Sequence, residues 1–297
     1  MSHLAWWRII RSLLALGAAA LLLGGCSAVR LGYSQLPELA YWWLDNYLDF
    51  DDTQGPLLRA ELQTLHDWHR REELPQIAAE LAQLQALAQR PVTSAQLCQW
   101  TERLRPRVQA VLTRAEPALL QLLPTLSTGQ LAHLRQQLQK RHQQWRQDWL
   151  QDSPAERQAT RLQRWQDRAE DFYGKLSAAQ SELLRQAIAS SPFDAALEDA
   201  ERMRRQQDLL QTLQQIRSLP SARGDDGTAR DLLRALWQRN QNSPNPVYRR
   251  HAEQIAQSGC ESWAALHNST SPTQRQRLLD KLRGYEDDAR SLAPSAR

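Results

Sequence analysis

Three cysteines, two histidines three residues apart, four closely spaced aspartates and one Glu-Ser pair are the residues whose spacing could support chemistry. His66 and His69, within "LHDWHRREELP", share one helix face, and such a pair can begin a metal site. The acid-containing H-E-x-x-H arrangement is missing, however, so packing and ion pairing beside Glu72 and Glu73 is the expected role. Asp45, Asp49, Asp51 and Asp52 do not make a calcium loop. Counted from Asp49, positions six and twelve are Gln54 and Ala60, where Gly and Glu are required. Asp51 and Asp52 instead suit a helix N-terminus. Glu261 and Ser262, in "GCESWAALHNSTS", leave one carboxyl that could act as a general acid if it lay in a closed cleft. No nucleophile elbow, Ser-x-x-Lys pair, Cys-x-x-Cys pair or phosphate loop occurs. The expectation is a protein that is not an enzyme and uses no metal or cofactor.

The cysteines are more informative. Cys26 follows "LLALGAAALLL" (13–23), and Arg8 and Arg11 precede that run with no acid between residues 1 and 25. A basic start and a short apolar run form a signal peptide; the run rises only about 16 Å as a helix, roughly half of a bilayer core. The sequence Leu23-Gly24-Gly25-Cys26 resembles the lipobox of bacterial lipoproteins, in which the cysteine thiol accepts a lipid and the preceding peptide is removed. The competing reading is an unmodified cysteine beside an ordinary cleavage site. The resemblance implies residues 1–25 as signal peptide, lipidation at Cys26, and sorting to the outer membrane because residue 27 is Ser rather than Asp. Several acyl chains on one residue suffice for stable anchoring, whereas one binds only marginally. In the oxidising periplasm that this implies, Cys98 and Cys260 are expected to pair; two separate buried thiols are the alternative. Each lies near a tryptophan, in "CQW" and "CESW", which points to packed surroundings.

The elements that must position these residues are helices. Leu, Ala, Gln, Arg and Glu dominate while β-branched residues are scarce, which gives an all-α protein, a multi-helix bundle or irregular helical array of about ten to twelve helices. A capping-box pattern recurs at Asp51-x-x-Gln54, Thr93-x-x-Gln96, Ser127-x-x-Gln130, Ser153-x-x-Glu156, Ser177-x-x-Gln180 and Ser271-x-x-Gln274. The intervals are irregular, so the pattern marks helix starts rather than a solenoid repeat. Helices are expected over 35–49, 54–73, 76–89, 93–114, 117–123, 128–151, 154–174, 177–190, 193–218, 227–240, 246–258 and 272–292. "SLPSARGDDGT" (218–228) and "NQNSPNP" (240–246) read as loops. After a short tether over 26–34, residues 35–292 form one periplasmic domain, with 218–297 a possible semi-independent end and 293–297 a disordered tail. Removal of residues 1–25 leaves 35 basic against 33 acidic residues, so the near-neutral balance gives no reason to expect nucleic acid.

The densest aromatic stretch is "YWWLDNYLDFDD" (41–52), with Tyr41, Trp42, Trp43 and Tyr47 as a candidate interaction surface. One side of that helix is core; Trp and Tyr so near a lipid anchor also suit the membrane interface or a partner groove. With the lipobox, "LGYSQLPELAYWWLDNYLDFDDTQ" and "WHRREELP" resemble a family of uncharacterised helical lipoproteins of proteobacteria, a resemblance that implies an address and no activity. Leu126-Ser127-x-x-Gln130 and Leu176-Ser177-x-x-Gln180 resemble the Leu-Thr-x-x-Gln motif of small periplasmic helical chaperones, with Ser in place of Thr. Glu261-Ser262 resembles the Glu-Ser of lytic transglycosylases, without the Gly-Leu-Met-Gln segment of that family. The leading expectation is a non-catalytic, outer-membrane-anchored lipoprotein whose helical domain faces the periplasm and binds an envelope protein. A chaperone-like client binder is the alternative, and a cell-wall glycan lyase using Glu261 a remote one.

Overall fold

A computed structural model describes residues 24–151, 153–219 and 226–294, and the described residues are almost entirely helical. The first helices are α1 (Gly24–Ser34), α2 (Leu36–Leu48), α3 (Gln54–Trp68), α4 (Leu74–Ala88), α5 (Ser94–Leu122) and α6 (Thr128–Arg146). The remainder are α7 (Pro154–Tyr173), α8 (Ala178–Ala189), α9 (Ala195–Ser218), α10 (Asp226–Gln241), α11 (Pro246–Asn268) and α12 (Pro272–Leu292). Single π-helical turns at His69–Glu73 and Gln147–Gln151 extend α3 and α6. Of the expected signal peptide over residues 1–25, residues 1–23 lie outside the described residues.

The capping boxes do more than start helices: four of them join in pairs. At the start of α3, Asp51 Oδ1 accepts from Gln54 N at 2.9 Å and Gln54 Oε1 accepts from Asp51 N at 3.3 Å. At the start of α6, Ser127 and Gln130 make the same reciprocal bonds. The two glutamine amides then face each other. Gln130 Nε2 donates to Gln54 Oε1 at 2.6 Å, and Gln54 Nε2 donates back to Gln130 Oε1 at 3.3 Å. Each amide also donates to the carbonyl two residues before its partner's box, Gln54 to Thr125 O and Gln130 to Asp49 O. The starts of α8 and α12 repeat this geometry. Gln180 and Gln274 exchange bonds of 2.9 Å, and donate to Ser269 O and Lys175 O. Left-handed residues aim the chain into both clasps, Asp49 (φ 49°) after α2 and Gly174 (φ 77°) after α7. At Gly174 the positive φ favours glycine, and a Cβ there would sit 2.9 Å from the Arg277 guanidinium, which would have to shift.

Each clasp is bound to its own apolar cluster. Around the first, Tyr47, Leu120, Leu126, Leu131, Leu134, Leu213, Ile216 and Leu233 bring together α2, α5, α6, α9 and α10. Around the second, Ala88, Ala169, Tyr173, Leu184, Leu266, Leu278 and Leu282 bring together α4, α7, α8, α11 and α12. One further contact braces the second cluster and another ties the two together. Helix α12 lies along α4, where the small Ala78 and Ala289 are both buried and Gln85 donates to Glu286 at 2.6 Å. Helix α5, about 43 Å long at 1.5 Å per residue, reaches from α11 at one end to α10 at the other.

Several boundaries differ from the sequence expectation, each for a visible reason. The stretch 26–34 is not an extended tether; α1 runs through it and docks. Arg30 Nε meets the buried Asp288 of α12 at 2.5 Å, and Tyr33 packs on the rings of His66 and His69. Helix α5 continues through Pro106 and Pro117, which stand about three turns apart. The buried Glu116, held by Arg230 and Arg234 of α10, secures the turn that Pro117 weakens. Helix α11 continues past residue 258 and through Gly259 to Asn268 because Cys260, Ala264 and Leu266 are buried along it. The segment 218–297 is not a separate end: α10 belongs to the first cluster, and α11 and α12 pack in the second. Ala293, placed in the expected tail, packs beside Leu74 and Ala78, while 295–297 lie outside the described residues.

Cys98, near the start of α5, is bonded to Cys260 in the middle of α11, with their Cα atoms 5.6 Å apart. The bond closes a loop with a sequence separation of 162, which constrains the unfolded chain by about 5 kcal/mol in the loop-entropy model. The Cys98→Ala/Cys260→Ala variant is therefore predicted to unfold at lower urea than wild type, and dithiothreitol to shift wild type alone. Equal unfolding midpoints would show that the bond contributes nothing.

Candidate functional site

The helical register of α2 divides the expected aromatic surface. Tyr41 and Tyr47 face inward at 8% and 7% exposure, whereas Trp42 and Trp43 stand out at 68% and 57%. Tyr41 packs on the buried Gly55 of α3 and is covered by the Arg59 guanidinium, 3.5 Å from its ring centre. The Tyr47 hydroxyl accepts from Arg141 Nη1 at 2.7 Å and its ring joins the first cluster. The two tyrosines are therefore core, and they leave the surface role to the tryptophans. That role gains neighbours the sequence did not single out. Val29 and Leu31 on α1, and Leu36 and Leu39 on α2, are exposed as well. Among the described residues, six of the nine large exposed apolar side chains lie between residues 29 and 43. At 100° per residue, Leu36, Leu39, Trp42 and Trp43 fall within one sector of roughly 120°, so they form a face.

The other candidates resolve into structure. His66 Nε2 lies 3.1 Å from Tyr33 O and His69 Nδ1 lies 2.8 Å from the Tyr33 hydroxyl, so the pair fastens α1 to α3. No group of three metal-ligating side chains occurs among the described residues. Asp45 accepts from Phe50 N, and Asp51 from Thr53 N and Gln54 N. These bonds lower the Asp51 carboxyl below its usual range, the Thr53 hydroxyl contributing most. Glu261 is exposed on α11 and receives only Gln257 Nε2 at 2.7 Å, which removes the cleft that a general acid needs. Cys26 lies in α1.

A cavity of about 830 Å³ lies among α4, α5, α7, α11 and α12, in the size range of small-ligand sites. Its walls are apolar: Leu84, Leu87, Trp100, Trp165, Phe172 and Trp263, with Cys260 of the disulfide in one side. Trp165 and Trp263 stack with their ring centres 5.6 Å apart. Trp100 and Trp263 are the tryptophans of "CQW" and "CESW", whose nearness to cysteine signalled packing; nothing in the sequence said that the packing leaves a void. Beside it, His267 is buried and fixed on both nitrogens. Nε2–H donates to Arg90 O at 3.1 Å, and Nδ1 accepts from the Tyr173 hydroxyl at 3.1 Å. Burial pushes the Tyr173 phenol up to about 12, which keeps that donor protonated.

Burial, as the largest cause, lowers the pKa of both His267 and His69, with the His66 charge adding to the effect at His69. Near pH 6.5 the unfolded chain therefore binds more protons than the folded one, and acid favours unfolding. Stability is predicted to be fully present above about pH 6.5 and to fall as the pH drops toward 5, before most carboxylates titrate. Urea unfolding should show a shallower pH dependence for His69→Gln/His267→Gln over that range. An unchanged slope would mean that neither ring is held neutral.

No match was found among curated proteins or among solved structures. A family model does match residues 46–249, from the last turn of α2 to the first turn of α11. By that match over more than half of its length, the chain belongs to the family of unknown function DUF6279.

Proposed function

We propose that this protein is a non-catalytic, lipid-anchored binding protein of the bacterial envelope. Cys26 carries the lipid, Ser27 directs it to the outer membrane, and the helical domain faces the periplasm. The observation that carries the reading is the exposed apolar face of α2, formed by Leu36, Leu39, Trp42 and Trp43, which begins ten residues after Cys26. Helix α1 is docked against α12 and α3 through Arg30 and Tyr33 rather than hanging free. A lipid on Cys26 would therefore hold Leu36, Leu39, Trp42 and Trp43 at the bilayer surface, where tryptophan partitions well. This fixes the domain in one orientation and leaves its polar helices open to an envelope protein partner. No nucleic acid is implied, since the mature charge is close to neutral. The Leu-Ser-x-x-Gln motifs that suggested a chaperone are accounted for by the glutamine clasps.

Feeding cells an alkyne-tagged palmitate should label wild type and leave Cys26→Ala unlabelled. A photo-crosslinking residue at position 42 should then capture lipid in the membrane-bound protein, and one at Gln136, on α6, a single envelope protein. Label on the Cys26→Ala variant would refute the anchor. A protein partner captured at position 42 would refute the bilayer as occupant of the face.

A further inference from the structure

The cavity beside the disulfide has a charge pattern as well as a size. Among the described residues no aspartate or glutamate lines it, while Arg164 and Arg168 do. These arginines stand four residues apart on α7, hence on one side of the helix, and both are exposed. Neither has an acidic partner within ion-pair distance among the described residues, although Arg164 rests 4.9 Å from the Trp149 ring centre. Both guanidiniums stand on the rim of the apolar cavity.

Gly259 supplies a further observation. It lies inside α11 and lines the cavity, and a Cβ built on it meets nothing within 4 Å. Glycine inside a helix costs about 1 kcal/mol relative to alanine, and here no close approach of protein atoms requires it. The space it leaves belongs to the cavity.

We propose that this cavity is a binding site for an anionic long-chain amphiphile, whose tail fills the void among Trp100, Trp165 and Trp263 and whose head pairs with Arg164 and Arg168. The tail accounts for walls that are apolar and aromatic, and the head for two cations on a rim that no described aspartate or glutamate lines. A fatty acid and an anionic phospholipid share this chemistry. The assignment stands on the cavity alone and holds whether or not Cys26 is lipidated.

The test uses the full chain in nanodiscs with cis-parinaric acid, read by energy transfer from tryptophan, and its methyl ester as the uncharged control. Gly259→Phe plugs the cavity without adding a donor tryptophan, and circular dichroism reports whether each variant is folded. Wild type should show saturable transfer that Gly259→Phe lacks. Arg164→Gln/Arg168→Gln should weaken the acid about tenfold and leave the ester unchanged. Displacement by lysophosphatidylglycerol but not by oleate would name a phospholipid as the source; the reverse would name a fatty acid. Equal transfer in wild type and folded Gly259→Phe would overturn the site itself. Acid and ester binding alike, with no effect of the arginine substitutions, would overturn the anionic head.

Discussion

The arrangement of this protein depends on two pairs of glutamine side chains. In each pair the carboxamides exchange hydrogen bonds, cap their own helices and reach the carbonyls that precede the partner's cap. Gln54, Gln130 and Gln180 are buried, so their amide groups would be costly if any of these bonds were missing. The geometry is therefore all-or-none. A clasp either holds two helix starts at one distance and angle, or leaves several polar groups unpaired in the interior. It fixes α3 against α6 at one end of the molecule and α8 against α12 at the other. The apolar clusters beside the clasps add most of the burial but little of the directionality, since leucine contacts tolerate sliding.

Both proposed surfaces inherit their rigidity from this frame. The exposed face of α2 ends at Asp49, whose carbonyl is held by Gln130 in the first clasp. The cavity wall of Leu278 and Leu282 belongs to α12, which starts at the second clasp. The disulfide adds a cross-tie where α5 passes the cavity, so that the cavity lies between elements fixed at separate points. From this frame the chain presents two features: six exposed apolar side chains between residues 29 and 43, and an apolar cavity with Arg164 and Arg168 on its rim.

Much of the helical layout was legible because its signals are local. A Ser, Thr or Asp followed three residues later by Gln or Glu reports a helix start whatever the tertiary context, and each such box proved to open a helix. What failed was whatever required knowledge of distant neighbours. Pro117 read as a break, yet Arg230 and Arg234 hold Glu116 from another helix. Tyr41 and Tyr47 looked like Trp42 and Trp43 in the sequence, and only the packing of α3 and α6 separates them. Gln54 and Gln130 gave no sign of meeting, because a capping box has the same pattern whether or not its glutamine has a partner. The cavity was the least visible feature, since the tryptophans that line it are the kind of residue that ordinarily fills a core.

The most direct measurement is a double-mutant cycle on the first clasp, with unfolding free energies for Gln54→Ala, Gln130→Ala and the double variant. Each single change strands the other amide in the interior and should cost about 1–3 kcal/mol. The double change strands neither, so it should cost clearly less than the sum, by a coupling of about 1 kcal/mol or more. Strict additivity would contradict the account, since it would mean that each glutamine serves only its own helix cap.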